Sequence, residues 1–189
     1  MQSSSVSVIP TNQESRTEVN KPFGVTRGVK AHTALANPCA IVRSKRMPVI
    51  SITRLRVRSW LYVPAFLVQT LRIARQAASA DGNLSVKLLR DRRNTFWTAT
   101  SWSAEGSMKA FMHAKPHGPT MRKLLHWCDE AALLHWTQVA ADVPSWEEAY
   151  RRIQADGRPS KVNYPSAAHT AHAIPAPTTT GQTRELCLK

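Results

Sequence analysis

The sequence predicts an α+β protein built as a ferredoxin-like β-α-β-β-α-β unit, a four-stranded antiparallel sheet with helices on one face. Three observations lead there. Four runs rich in β-branched and aromatic residues alternate with two stretches of helical period within residues 47–140. Turn-forming residues fall between these runs rather than inside them. A hydrophobic content of 42% is enough for a core, which excludes a wholly disordered chain.

The first strand runs from Pro48 to Arg58. Val49, Ser51, Thr53, Leu55 and Val57 fall on one side and Ile50, Ile52, Arg54, Arg56 and Arg58 on the other. Pro64 suits a first helical turn, and Leu67, Leu71, Ala74 and Ala78 recur at helical spacing until Asp81-Gly82-Asn83 ends the helix. Leu84 to Asp91 alternates as a strand, Arg92-Arg93-Asn94 turns, and Thr95 to Trp102 completes a hairpin. Ser103 is a candidate N-cap with Glu105 in the first turn, and Met108, Phe111 and Met112 form the stripe of the second helix. Pro116-His117-Gly118-Pro119 breaks that helix. A further piece starts at Pro119, with Met121, Leu124, Leu125 and Cys128 on one side. Ala131 to Val139 is the last strand, with Leu134 and Trp136 on one face and Leu133 and His135 on the other. Helices on one face leave the other face to be covered, and a second copy is the usual means, so a homodimer is expected.

The flanks differ in character. Residues 1–46 are Ser/Thr/Asn-rich without an apolar stripe and read as a disordered basic tail, with Met47 as an alternative start. Residues 141–166 read as a C-terminal amphipathic extension. Its helix begins at Trp146, packs through Trp146, Tyr150 and Ile153, and is capped by Gly157. Residues 167–189 are Ala/Pro/Thr-rich and read as a disordered tail.

Charge and cysteine usage narrow the function classes. The formal net charge is +14, of which +5 lies in residues 1–46, +8 in 47–140 and +1 in 141–189. Three widely spaced cysteines exclude a disulfide scaffold and a zinc module and point to a reducing, cytoplasmic setting. The longest apolar run, Trp60 to Leu71, is too short to span a bilayer, so no membrane partner is expected. The arginine row on the first strand and Arg90, Arg92 and Arg93 raise nucleic-acid binding. No helix-turn-helix, RNP-type or phosphate-loop pattern accompanies them, so nucleic acid stays a minority reading. Asp129-Glu130 invites pairing with Arg54, Arg56 and Arg58 as a structural salt bridge.

Trp102, Glu105, Met108, Phe111, Pro116 and His117 stand in a pattern that resembles the antibiotic-biosynthesis-monooxygenase family of dimeric α/β-barrel proteins. Thr95-Phe96-Trp97-Thr98 and His126-Trp127-Cys128-Asp129-Glu130-Ala131 are similar to uncharacterised bacterial proteins near that family and near spheroidene monooxygenase. The resemblance covers about residues 48–139 and implies a dimeric α/β barrel with a hydrophobic cavity between sheet and helices. Some members oxidise aromatic polyketides or quinols without metal or flavin, and others bind or degrade haem. The implied function is a monooxygenase-like protein binding an apolar or aromatic small molecule. The alternative is a non-catalytic binding or accessory protein of the same fold. No cofactor is expected, with haem as the variant.

Two residues are singled out as catalytic candidates. His117 lies in a helix break, where a neutral imidazole can act as general base toward a phenol or ligate haem iron; capping the following helix or bonding a backbone carbonyl is the competing role. Trp97 and Trp102 lie on opposite faces of one strand, so one packs under the helices while the other faces the barrel side. Trp97 is the one assigned to the site. Cys128 lies on an apolar stripe and reads as an inert buried thiol.

Overall fold

A computed structural model describes residues 47–178 and 184–188. The expectations for residues 1–46 lie outside the described residues. The chain runs β1 (Val49–Val57), a 3-10 turn at Trp60–Tyr62, α1 (Val63–Ala78), β2 (Asn83–Arg90) and β3 (Thr95–Trp102). It continues through α2 (Glu105–His113), α3 (His117–Trp127) and β4 (Cys128–Thr137). The last elements are α4 (Trp146–Asp156), β5 (Arg158–Pro159), α5 (Ala167–Thr170) and β6 (Arg184–Leu188). The strands form one sheet in the order β5-β4-β1-β3-β2-β6, with every neighbouring pair antiparallel. Its inner four strands have the split βαβ order: β3 lies between β1 and β2, and β1 lies between β3 and β4.

The sheet has six strands where the sequence predicts four. Both additions are edge strands from the C-terminal segment, β5 on β4 and β6 on β2. β6 and α5 fall within residues 167–189, which the sequence reads as a tail. Ser166 caps α5 by accepting from the His169 N–H at 3.1 Å. A five-residue edge strand is held by backbone hydrogen bonds to its neighbour, and these leave little trace in composition.

Strand register sorts every side chain to one of two faces. Val49, Ser51, Thr53, Leu55 and Val57 of β1 face α1, α2 and α3, as do Phe96, Thr98, Thr100 and Trp102 of β3 and Ala131, Leu133 and His135 of β4. Ile50, Ile52, Trp97, Ala99 and Ala132 face the opposite way. There the sequence expects a second copy. α4 lies on this face, packing Trp146, Ala149 and Ile153 against the sheet together with Val143 of the preceding loop. Helices therefore lie on both faces of the sheet. The hydrophobic cost of an uncovered sheet is met locally because α4 follows β4 after only eight residues.

Three boundaries move for physical reasons. α1 buries Val63, Phe66, Ala74 and Ala77, while Leu71 of the predicted stripe is turned outward. A helix apolar on several sides gives no single phase. Ala104, not Ser103, is the N-cap of α2, and the Ser103 N–H donates to the Gly82 carbonyl at 2.7 Å. α3 starts at His117 rather than Pro119, since prolines are tolerated in a first turn.

Candidate functional site

Between the sheet and α1, α2 and α3 lies a cavity of about 340 Å³. Register arranges its floor in rows. His135, Ser51 and Thr100 are neighbours across β4, β1 and β3, and Leu133, Thr53 and Thr98 form the next row. Ala131 and Leu55 make the third. The floor thus passes from an imidazole and two hydroxyls at one end to hydrocarbon at the other. The roof follows the same order. Phe111, Met112 and His117 line the cavity from the α2–α3 end, and Phe66 and Leu124 line it further along.

His117 is half-buried at the first position of α3. Its Nδ1 lies 2.9 Å from the Met112 carbonyl oxygen. A carbonyl only accepts, so Nδ1 carries the proton and Nε2 holds the lone pair. Burial pushes the His117 pKa down, the bond to Met112 pushes it up, and nearby His113 adds to the lowering; the net direction is down. The imidazole is therefore held neutral with a defined basic nitrogen. Its ring lies against Phe111 with centroids 4.7 Å apart and planes tilted by 51°, and Phe111 lies against Trp102 with centroids 5.1 Å apart and planes tilted by 31°. Trp102 Nε1 donates to Thr100 Oγ1 at 2.9 Å, which fixes both side chains at the polar end. The competing role for His117 remains visible in the same bond: it anchors the ring to the end of α2.

A second histidine, His135, lines the same cavity. Burial lowers its pKa, Glu105 opposes this and Arg158 adds to it, with a net lowering. Strand alternation had placed His135 with Leu133, but no sequence feature said which face was roofed. Trp97 goes the other way. It is buried at 1% exposure beneath α4, with its ring 5.7 Å from the Arg54 guanidinium, so the sheet separates it from His117. Trp102 is the tryptophan that shares the cavity with His117.

The acidic pair of β4 is engaged in ion pairs. Arg54 Nη1 donates to Glu130 at 2.6 Å, Arg56 pairs with Asp129 at 2.7 Å and with Glu130 at 2.7 Å, and Ser166 donates to Glu130 at 3.0 Å. This network sits on the α4 side of the sheet, away from the cavity. Arg58 donates to the His126 carbonyl at 2.7 Å and lies over Tyr62 and Tyr164. The arginine row is thus consumed within the chain, while Arg90, Arg92 and Arg93 remain exposed at the hairpin. Cys128 is fully buried, and burial followed by the Asp129 charge pushes its thiol up to about 12, which makes it unreactive. Among the described residues no group of three or more potential metal ligands is found, and no helix is long and apolar enough to cross a membrane.

No protein-family model matches the chain, and no curated protein matches it. Solved structures do. A protein from Pseudomonas aeruginosa is 12% identical, with 51% of this chain and 98% of that one covered and a TM-score of 0.46. SnoaB, a cofactor-independent oxygenase from Streptomyces nogalater, is 18% identical over 49% of this chain and 94% of that one, with a TM-score of 0.41. A candidate antibiotic biosynthesis monooxygenase from Nitrosomonas europaea is 16% identical over 49% and 91%, with a TM-score of 0.43. Read from its own strand order and register, the described chain is an α+β protein with a split βαβ core, whose roofed face holds a graded cavity and two neutral-leaning histidines.

Proposed function

We propose that the cavity binds an amphipathic aromatic molecule, a phenol or quinol with an apolar extension, and that the protein acts on it as a monooxygenase-like enzyme. The carrying observation is the Nδ1–Met112 bond of His117, which leaves Nε2 as the basic nitrogen of a neutral imidazole lining an apolar cavity. The hydroxylated end of the ligand belongs with His117, His135, Ser51 and Thr100. Its hydrocarbon belongs with Leu55, Phe66 and Leu124. Nε2 takes the phenolic proton, and the electron-rich phenolate reacts with dioxygen, the co-substrate. One oxygen atom enters the ring and the other leaves as water while the ring loses two hydrogens, so phenol and dioxygen yield quinone and water. Trp102 and Phe111 back the imidazole. Trp97, on the far face, has a packing role in this scheme.

Haem is the variant the resemblance allows. It would bring two propionates, and the cavity lining supplies one cation beside its histidines, Lys161, so the donor set does not fit haem. All the side chains assigned to the proposed site come from a single chain.

Oxygen uptake by purified protein with a panel of naphthols and hydroquinones, without added cofactor, tests the proposal. Wild type consumes oxygen, and His117→Ala lowers the rate by about 100-fold or more with far-UV circular dichroism unchanged. Equal rates in the two proteins, or binding of every phenol with no oxygen uptake, sinks it; the latter result supports the non-catalytic binding protein.

A further inference from the structure

The outward face of α1 departs from what a helix of a water-soluble domain presents. At about 100° per residue, Ala65, Val68, Leu71, Arg72 and Arg75 fall within one arc, and all are exposed. The 3-10 turn prolongs this face with Trp60 at 72% and Leu61 at 65% exposure, and Val68 is 55% exposed. The 3-10 turn and the first half of α1 thus show solvent tryptophan, leucine, valine and alanine, and the second half shows Arg72 and Arg75. No acidic residue occurs from Met47 to Ala80. On the same side of the sheet, α3 turns Met121, Arg122 and Lys123 outward. The acid of neighbouring α2, Glu105, is neutralised by Lys109 at 2.7 Å.

We propose that the outer face of α1, with the exposed edge of α3, docks the protein on an anionic lipid surface. Trp60, Leu61, Val68 and Leu71 enter the headgroup boundary while Arg72, Arg75, Arg122 and Lys123 meet lipid phosphates, their stems lying along the apolar stripe. Charge complementarity selects this occupant over a second copy. A second copy pairing through this face would bring the same arginines and no acid of its own to meet Arg72 and Arg75. The absence of a spanning helix among the described residues concerns crossing; docking needs only one helix face. The inner face of α1 contributes Phe66, Gln69, Thr70 and Ile73 to the cavity, so the cavity sits one helix away from the lipid. The proposal does not depend on oxygenase activity.

The 189-residue chain is co-sedimented with vesicles of equimolar phosphatidylcholine and phosphatidylglycerol, and with phosphatidylcholine alone, at about physiological salt. Wild type binds the anionic vesicles and is released by high salt. Trp60→Ser with Val68→Ser, which removes apolar surface without changing charge, and Arg72→Gln with Arg75→Gln each weaken binding at least about tenfold. All these positions are exposed, so unchanged circular dichroism and Tm certify folding. The basic residues before Met47 are common to every variant, so variants that bind like wild type assign adhesion to that segment and overturn the proposal. Equal binding to neutral and anionic vesicles, or no binding, also overturns it. So does a dimer in sedimentation velocity that Trp60→Ser with Val68→Ser dissolves, which assigns the face to a second copy.

Discussion

At His117 two consequences of burial oppose each other. Desolvation disfavours the imidazolium, while the Met112 carbonyl favours a protonated Nδ1, and desolvation prevails. His135 is also lowered, with burial as the leading cause. For both residues the folded pKa lies below that of the unfolded chain, near 6.5. Between the two values the unfolded state binds more protons, so stability falls as pH drops through the window below about 6.5 and is flat above it. Urea midpoints at about pH 5 and pH 7 check this: His117→Phe with His135→Phe narrows the gap shown by wild type, and an unchanged gap refutes the assignment. Sequence alone singled out His117, because prolines on both sides mark an irregular chain. It passed over His135, whose alternation was readable but whose face was not.

The elements were largely legible, and α4 shows why. Its apolar residues Trp146, Tyr150 and Ile153 recur at helical spacing, Ser145 caps it by accepting from the Glu148 N–H at 3.2 Å, and Gly157 ends it. Gly157 is required by close approach rather than by backbone freedom. Its φ is −65°, yet a Cβ there would stand 2.1 Å from the Ile153 carbonyl oxygen. Gly157→Ala is expected to cost about 1–3 kcal/mol. Gly106 in α2, where an added Cβ meets nothing within 4 Å, behaves oppositely. Gly106→Ala is expected to be neutral or to stabilise by up to about 1 kcal/mol. Thermal melts of the two variants decide: a harmless Gly157→Ala contradicts the packing of this turn. α1 was less legible in phase, since apolar residues lie on both its cavity side and its outer side.

Across the whole molecule, the ion network ties distant parts of the chain together. Arg54 and Arg56 of β1 hold Asp129 and Glu130 of β4, and Ser166 just before α5 joins them. Arg54 and Glu130 have side chains only 5% and 3% exposed. Glu130→Ala leaves the Arg54 guanidinium buried without its acid, at a cost of about 3–5 kcal/mol. Denaturant unfolding of this variant measures it, and a loss below about 1 kcal/mol shows that the pair behaves as a surface bridge. The pairing itself was readable from the charge pattern of one strand and one acidic doublet. Its burial was not, because the elements that cover it follow much later in the chain.

Periodicity, turn chemistry and β-branched runs were sufficient for the order of the elements from β1 to β4 and for the α+β class, because these signals act within a few residues. Packing decided the rest. Which face of the sheet is roofed by α1 to α3, which tryptophan meets His117, and whether α4 or another molecule covers the far side all depend on contacts between residues remote in sequence. An alternating strand has two equivalent faces until a neighbour buries one of them. Trp97 and Trp102 exchange roles on that choice alone, and the outward turn of Val68 and Leu71 follows from it as well.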